Sequence, residues 1–132
     1  ACLVGSEMCI RDRFLGRRTD VPQLLQQADL FVHPAVWEEG FGITLIEAMA
    51  SGVPCLAFPK GAIPEIIGPE IDGFLTEEVS AAALTAGINR ALELFTKAPH
   101  HWHTLCKNAR QKAELFSIER TVAQLEALYQ EQ

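Results

Sequence analysis

The sequence is short of cations. It carries 11 Lys and Arg against 17 Asp and Glu, for a formal net charge of −6 and a pI of about 5.1. Nucleic acid is a poor partner for such a chain, because binding a phosphate backbone takes Lys and Arg that displace counterions. There is no polybasic stretch to hold an anionic membrane surface. The apolar runs are short and broken by Gly, Pro or charge, so none reads as a membrane helix. The four cysteines, Cys2, Cys9, Cys55 and Cys106, form no CxxC pair and no disulfide framework. Reduced thiols in a cytoplasmic protein are the expectation. Internal repeats and low-complexity linkers are also missing.

What is present suffices for one domain. The chain has 132 residues and is 48% hydrophobic, with a mean hydropathy of +0.11, enough apolar material for a core. Residues 1–13 stand apart. They lack an initiator Met and a clear period, and Glu7 breaks the apolar run that a signal peptide needs. The string CLVGSEMCIRDR reads as a translated sequencing adapter, so residues 1–13 are expected to be non-native or an upstream remnant.

From Phe14 onward short strands alternate with helices. Phe14 to Arg17 is a strand candidate. Asp20 is placed to cap a short helix, with Pro22 in its first turn, Gln23 three residues after the cap, and Leu24, Leu25 and Ala28 on its buried side. Asp29 to His33 reads as a strand that Pro34 ends. A helix follows from about Gly42 to Ala50, stopped by Gly52. Val53 to Phe58 is almost continuously apolar, which suits a strand covered on both faces. Ala62 to Ile67 predicts a short helix and Phe74 to Thr76 a short strand. The remainder is helical. One stripe runs Leu84, Ile88, Ala91, Leu92, Phe95 and a second Trp102, Leu105, Cys106, Ala109, Ala113, Phe116. Ser117 caps a last helix with Ile118, Val122, Leu125 and Tyr129. Alternating strand and helix implies an α/β fold with a Rossmann-like parallel sheet, followed by C-terminal helices. Ligands in such folds bind beyond the carboxyl ends of the strands. The loop from Pro34 to Gly42 is therefore the expected site.

That loop holds the densest chemistry in the chain, EEGFGITLIEAMASGVP at positions 38–54. Gly40 and Gly42 flank Phe41 and let the backbone approach a ligand closely. The first N–H groups of the following helix lack intrahelical partners and, with the helix dipole, suit a diphosphate. Thr44 adds a hydroxyl in the first turn. Glu47 lies roughly 7.5 Å further along the axis, where a carboxylate fits a vicinal diol such as a ribose better than a phosphate. Glu39 stands before the cradle, where it can accept sugar hydroxyls. The order carboxylate, anion cradle, carboxylate matches sugar, diphosphate, ribose.

The pattern E-G-F-G-x4-E-A-M-A-x-G-x-P resembles the signature of family 4 glycosyltransferases and their close relatives, retaining enzymes of the GT-B fold. FLGRRTDVPQLLQQADLFVHPA before it, IPEII and DGFLT after it, and FSIERTVAQLEALY near the end are similar to flanking segments of that family, so the resemblance covers residue 14 to the end. It implies that residues 14–132 are part of a C-terminal nucleotide-sugar-binding domain. It further implies that Glu39 contacts the donor sugar as the catalytic-site carboxylate of an E-x7-E pair. Gly40, Phe41, Gly42 and Ile43 would lie near the sugar and phosphates, Thr44 near the diphosphate, and Glu47 on the ribose. The expected reaction moves a sugar from a nucleotide diphosphate sugar to an acceptor hydroxyl of a glycan, lipid or small molecule, with no metal and no cofactor. The Arg and Lys that neutralise the diphosphate in the family, and the N-terminal acceptor domain, would lie upstream. The whole protein is expected to be cytoplasmic or to sit peripherally on the inner face of the membrane through that domain. One departure is Gly61-Ala62, where the family often has Gly-Gly before I-P-E.

Plainer readings stand beside these. Glu47 taken alone is a solvated surface residue, and only its spacing from Glu39 argues otherwise. Phe41 serves equally as a packing anchor. Glu65 joins the donor-binding candidates through its place on a second strand-to-helix loop, while stabilisation of a helix start explains it as well. Glu38 reads as solvent-facing, His33 as structural, and Trp37 as a shield over the loop. His100, His101, His103 and Cys106 lack the paired spacing of a zinc site. A different class, a catalytically inactive nucleotide-binding module, remains the alternative. A dinucleotide dehydrogenase does not fit, because no GxGxxG follows a strand.

Overall fold

The computed structural model describes residues 13–130. The reading of residues 1–13 as non-native therefore falls almost wholly outside the described residues. Along the chain the elements are α1 (Val21–Leu25), β1 (Phe31–His33), α2 (Ile43–Ala50), β2 (Cys55–Ala57), α3 (Ile63–Ile66), β3 (Gly73–Leu75), α4 (Ala81–Lys97), α5 (Pro99–Glu114) and α6 (Ile118–Gln130). The strands form a parallel sheet in the order β1-β2-β3. Phe31 pairs with Cys55 and Cys55 with Gly73.

The sheet is buried on both faces, and its period-two alternation sorts the core into two clusters. Cys55 and Ala57 pack with Leu45, Ala48 and Met49 of α2 and Ala109 and Ala113 of α5. Leu56 and Phe74 pack on the other side with Ala91 and Leu94 of α4 and Trp102 and Leu105 of α5. α5 thus contributes its first half to one cluster and its second half to the other. Leu45 and Leu56 are completely shielded, and each such burial contributes about 1.5–3 kcal/mol. Burial pushes the Cys55 thiol, which also feels the Asp72 charge, up to about 12, so it is a core residue and not a nucleophile. α2 ends as the sequence suggested. Gly52 lies at φ 79, with its N–H on Met49 O at 2.9 Å and the Val53 N–H on Ala48 O at 3.0 Å, the paired bonds of a Schellman stop.

Several expectations need correction. Phe14 to Arg17 forms no strand, and Phe14 is 90% exposed. A strand exists only where a neighbour takes its backbone hydrogen bonds, and none of the described strands lies beside these residues. Asp20 holds the cap position of α1 but makes no cap bond. Its carboxylate turns back to Arg18 instead. Ala28 lies beyond α1 and is exposed, leaving Leu25 as the buried anchor of that helix. On α4 the stripe is rotated. Ala91 and Leu94 are buried, whereas Ile88, Leu92 and Phe95 are exposed. Gly87 explains the rotation: a Cβ there would collide with Leu56, so the helix seats its smallest residue on the sheet. Ile118, Val122, Leu125 and Tyr129 of α6 are all exposed.

Candidate functional site

The loop between β1 and α2 leaves the carboxyl end of the edge strand β1 and closes on Gly42, which sits at φ 76 and ψ 49 at the N-cap of α2. Among the described residues, that terminus has no side-chain cap bond. Leu45 N–H and Ile46 N–H both turn back to Gly42 O. The preceding amides at Ile43 and Thr44 remain the groups that an α-helix leaves for an external acceptor. The Ile43 side chain is 63% exposed, and Thr44 is exposed. Among the described residues, no hydrogen-bond partner is placed on these two amides. Phe41 is half exposed and meets Phe116 edge to face, with centroids 6.1 Å apart. That contact favours the packing-anchor reading while leaving one ring face open.

Glu39 is the best-held carboxylate of the loop. Its main chain is pinned from the β2–α3 loop: Ala62 N–H donates to Glu39 O at 2.9 Å. Gly61, at φ 55, lies flat against the Glu39 backbone, and a Cβ on it would overlap the Glu39 carbonyl oxygen and amide nitrogen. Only glycine tolerates both that φ and that approach. Glu38 strengthens the join. Its carboxylate accepts from Lys60 Nζ at 3.0 Å and from Gly61 N–H at 2.7 Å, which holds it below the usual carboxylate range, through Lys60 first and the Gly61 amide second. The expectation of a merely solvent-facing Glu38 is therefore corrected. Its side chain is 72% exposed, yet it ties two strand-end loops together. Trp37 is 62% exposed, and its side chain reaches the Glu39 carboxylate of the loop.

The Glu39 side chain turns toward the sheet. Its Oε2 lies 3.4 Å from His33 Nε2, with side-chain exposures of 22% and 15%. Burial pushes the Glu39 carboxyl up. The His33 ring, the Gly42 and Phe41 amides and the Trp37 side chain outweigh it and hold the group below the usual range. The His33–Glu39 contact is within ion-pair distance but lacks hydrogen-bond alignment, so His33 Nε2 is fully shielded without a partner. Such a group costs about 1–3 kcal/mol when left unpaired.

Glu47 has different surroundings. It is exposed on α2 and lines a groove of about 390 Å³ together with Val21, Pro22, Leu25 and Gln26 at α1 and Arg110 of α5. The groove does not include Glu39. Glu39 thus lies on the approach to α2 and Glu47 in a groove beside the helix, with the helix start between them in sequence. Glu65 is exposed in the first turn of α3. It shares the strand-end side through its loop, and its carboxylate makes no hydrogen bond or ion pair among the described residues. His33, Glu38 and Gly61 are the residues that sequence reasoning missed. The only signal for them was Gly61 in a loop directly after an apolar strand. Among the described residues, no group of three or more His, Cys, Asp or Glu is placed to hold a metal, and no helix is long and apolar enough to cross a membrane.

A parallel sheet with helices on both faces and an uncapped helix start beyond its strand ends defines the class: part of a Rossmann-like domain of the GT-B type. Residues 11–112 match the family model described as Glycosyl transferases group 1, and the chain belongs to that family. Among curated relatives it is 36% identical over 123 residues to N-acetyl-alpha-D-glucosaminyl L-malate synthase of Bacillus anthracis, covering 91% of this chain and 31% of that protein. It is 33% identical to the lipopolysaccharide core biosynthesis mannosyltransferase LpsB of Rhizobium meliloti, covering 89% and 33%. Among solved structures it is similar to HepE of Anabaena in complex with UDP and glucose, with a TM-score of 0.73 and 29% identity over 87% of this chain and 31% of that one. The chain thus spans about a third of the length of these relatives.

Proposed function

We propose that this chain is the donor-binding part of a retaining glycosyltransferase, one that moves a hexose from a nucleotide diphosphate sugar to an acceptor hydroxyl. The observation that carries the reading is the uncapped N-terminus of α2, bracketed by Glu39 on its approach loop and Glu47 one turn and a half into the helix. The amides at Ile43 and Thr44 receive the diphosphate, where the helix dipole stabilises the charge that grows as the sugar leaves. Glu39 accepts hydroxyls of the sugar and orients it, a positional contribution to the reaction. Gly40, Phe41 and Gly42 bring the backbone against the sugar and phosphates. Glu47 takes the ribose diol from the groove it shares with Arg110, and Glu65 lies at the outer margin of the donor. No metal is required in this scheme, because helix amides and cationic side chains do the neutralising. An acceptor domain upstream in the whole protein supplies the acceptor hydroxyl, the general base and further cations, and sets a cytoplasmic or peripheral membrane location. That HepE binds UDP and UDP-glucose supports a uridine nucleotide as the first probe.

The test is calorimetric titration of the chain with UDP, GDP and ADP, beside Glu47→Ala. Binding of one nucleotide that weakens about tenfold in Glu47→Ala, roughly 1.4 kcal/mol, is the expected result. No binding by a chain whose melting curve shows it folded sinks the donor-site reading for this chain and leaves the inactive module.

A further inference from the structure

We infer that His33 is a positioning residue, whose Nε2–H fixes the Glu39 carboxylate in the orientation that meets a donor-sugar hydroxyl. The inference rests on the donor-site reading of Glu39 for its functional meaning, though the contact itself stands without it.

His33 and Phe31 share one face of β1 by the period-two rule, and their rings stack at 6.2 Å with 21° between planes. The stack fixes the imidazole plane and so the direction of Nε2. A Phe ring would make that stack as well. What it would lack is the ring nitrogen, which is fully shielded and unpaired, with Glu39 Oε2 at 3.4 Å as its charged neighbour. A strand does not keep a shielded nitrogen without a partner unless something else uses it. The backbone of Glu39 is immobilised from the opposite side by Ala62 N–H and by contact with Gly61. The Phe41 and Gly42 amides and the Trp37 side chain already engage the Glu39 carboxylate, and His33 adds a partner from the sheet side, against Oε2. A small rotation of the Glu39 carboxylate brings an oxygen into line with Nε2–H and makes the contact a hydrogen bond. A hydroxyl arriving at the other carboxylate oxygen then finds a fixed acceptor, with the ordering cost already met.

The test has two arms. Long-range proton–nitrogen NMR on the labelled, nucleotide-free chain reads the imidazole tautomer directly. A protonated Nε2 at neutral pH is expected; a neutral ring protonated only on Nδ1 overturns the inference, since two lone pairs would then face each other. In the second arm, UDP and UDP-glucose are titrated into the native chain, His33→Gln and His33→Phe, each checked for an unchanged fold by its melting curve. His33→Phe should bind UDP as before and UDP-glucose about tenfold more weakly, while His33→Gln, which keeps a side-chain N–H, recovers most of the difference. Native behaviour of His33→Phe toward both ligands reduces His33 to a stacking residue and overturns the inference. If no nucleotide binds to any of the three proteins, the donor-site reading fails by itself, and the tautomer still decides whether His33 holds Glu39.

Discussion

Glu39 and Glu47 are the two carboxylates of one motif, eight positions apart, and the protein treats them in opposite ways. Glu39 is held: Ala62 and Gly61 fix its main chain, and His33 faces its side chain. Glu47 is free on the outer side of α2, open to a groove. A carboxylate that must meet a reacting sugar gains from being fixed beforehand, because misplacement there raises the barrier. A carboxylate that grips a ribose contributes binding only and can order itself when the ligand arrives. Under the proposed function the same residue type would take two roles, and the difference in how the two are held comes from the loops around them.

The strongest way to break the contrast is Gly61→Ala. Its Cβ has no room beside Glu39 and its φ of 55 strains any L side chain, so a destabilisation of about 1–3 kcal/mol is expected. The Glu39 loop should move while the Glu47 groove keeps its shape. Thermal melts and amide shifts across both regions check this, and an unchanged Glu39 loop would remove the clamp from the account. Next in size is Glu47→Ala, whose expected loss in nucleotide affinity should come without any change in melting temperature beyond about 0.5 kcal/mol, as for other exposed positions.

Glu39→Gln sharpens the contrast through pH. The Glu39 carboxyl is held below its ordinary value of 4.5 in the folded chain. A lowered carboxyl adds stability above the unfolded value and loses it as pH falls through the folded one. The melting temperatures of Glu39→Gln and the native chain should therefore differ at neutral pH and converge below about 4.5. A gap that stays constant through the acid range would mean that the charge of Glu39 is not what its neighbours hold. The smallest effect belongs to Glu38→Ala. Its exposed pair with Lys60 is screened by water and contributes little to stability, so its loss should loosen the join between loops, seen as amide shifts at Gly61, without unseating Glu39.

Much of the architecture was legible in local pattern. The strands at Phe31, Cys55 and Gly73 were expected within a few residues, as was the helix from Gly42 to Ala50 with its glycine stop. Apolar runs, proline and glycine are short-range signals read over a handful of residues. The rotated face of α4 was not legible. Counting large apolar residues selects Ile88, Leu92 and Phe95, while close approach to the sheet selects Gly87, and only the position of Leu56 decides between them. The α6 stripe is the converse case: the period is present, but nothing among the described residues covers it.

The site divides in the same way. By itself the sequence determined the parallel α/β pattern, the loop that ends a strand and opens a helix, and the family that the spacing of Glu39, Gly40, Gly42 and Glu47 marks. These depend on residues adjacent along the chain. The tertiary structure alone decided that Gly61 and Glu38, more than twenty residues apart, clasp one another beside Glu39, that His33 faces its carboxylate, and that Glu47 lines a groove with α1 and Arg110. The reason is that parallel pairing brings the ends of β1 and β2 side by side, and contacts between two strand-end loops have no period for a sequence to display.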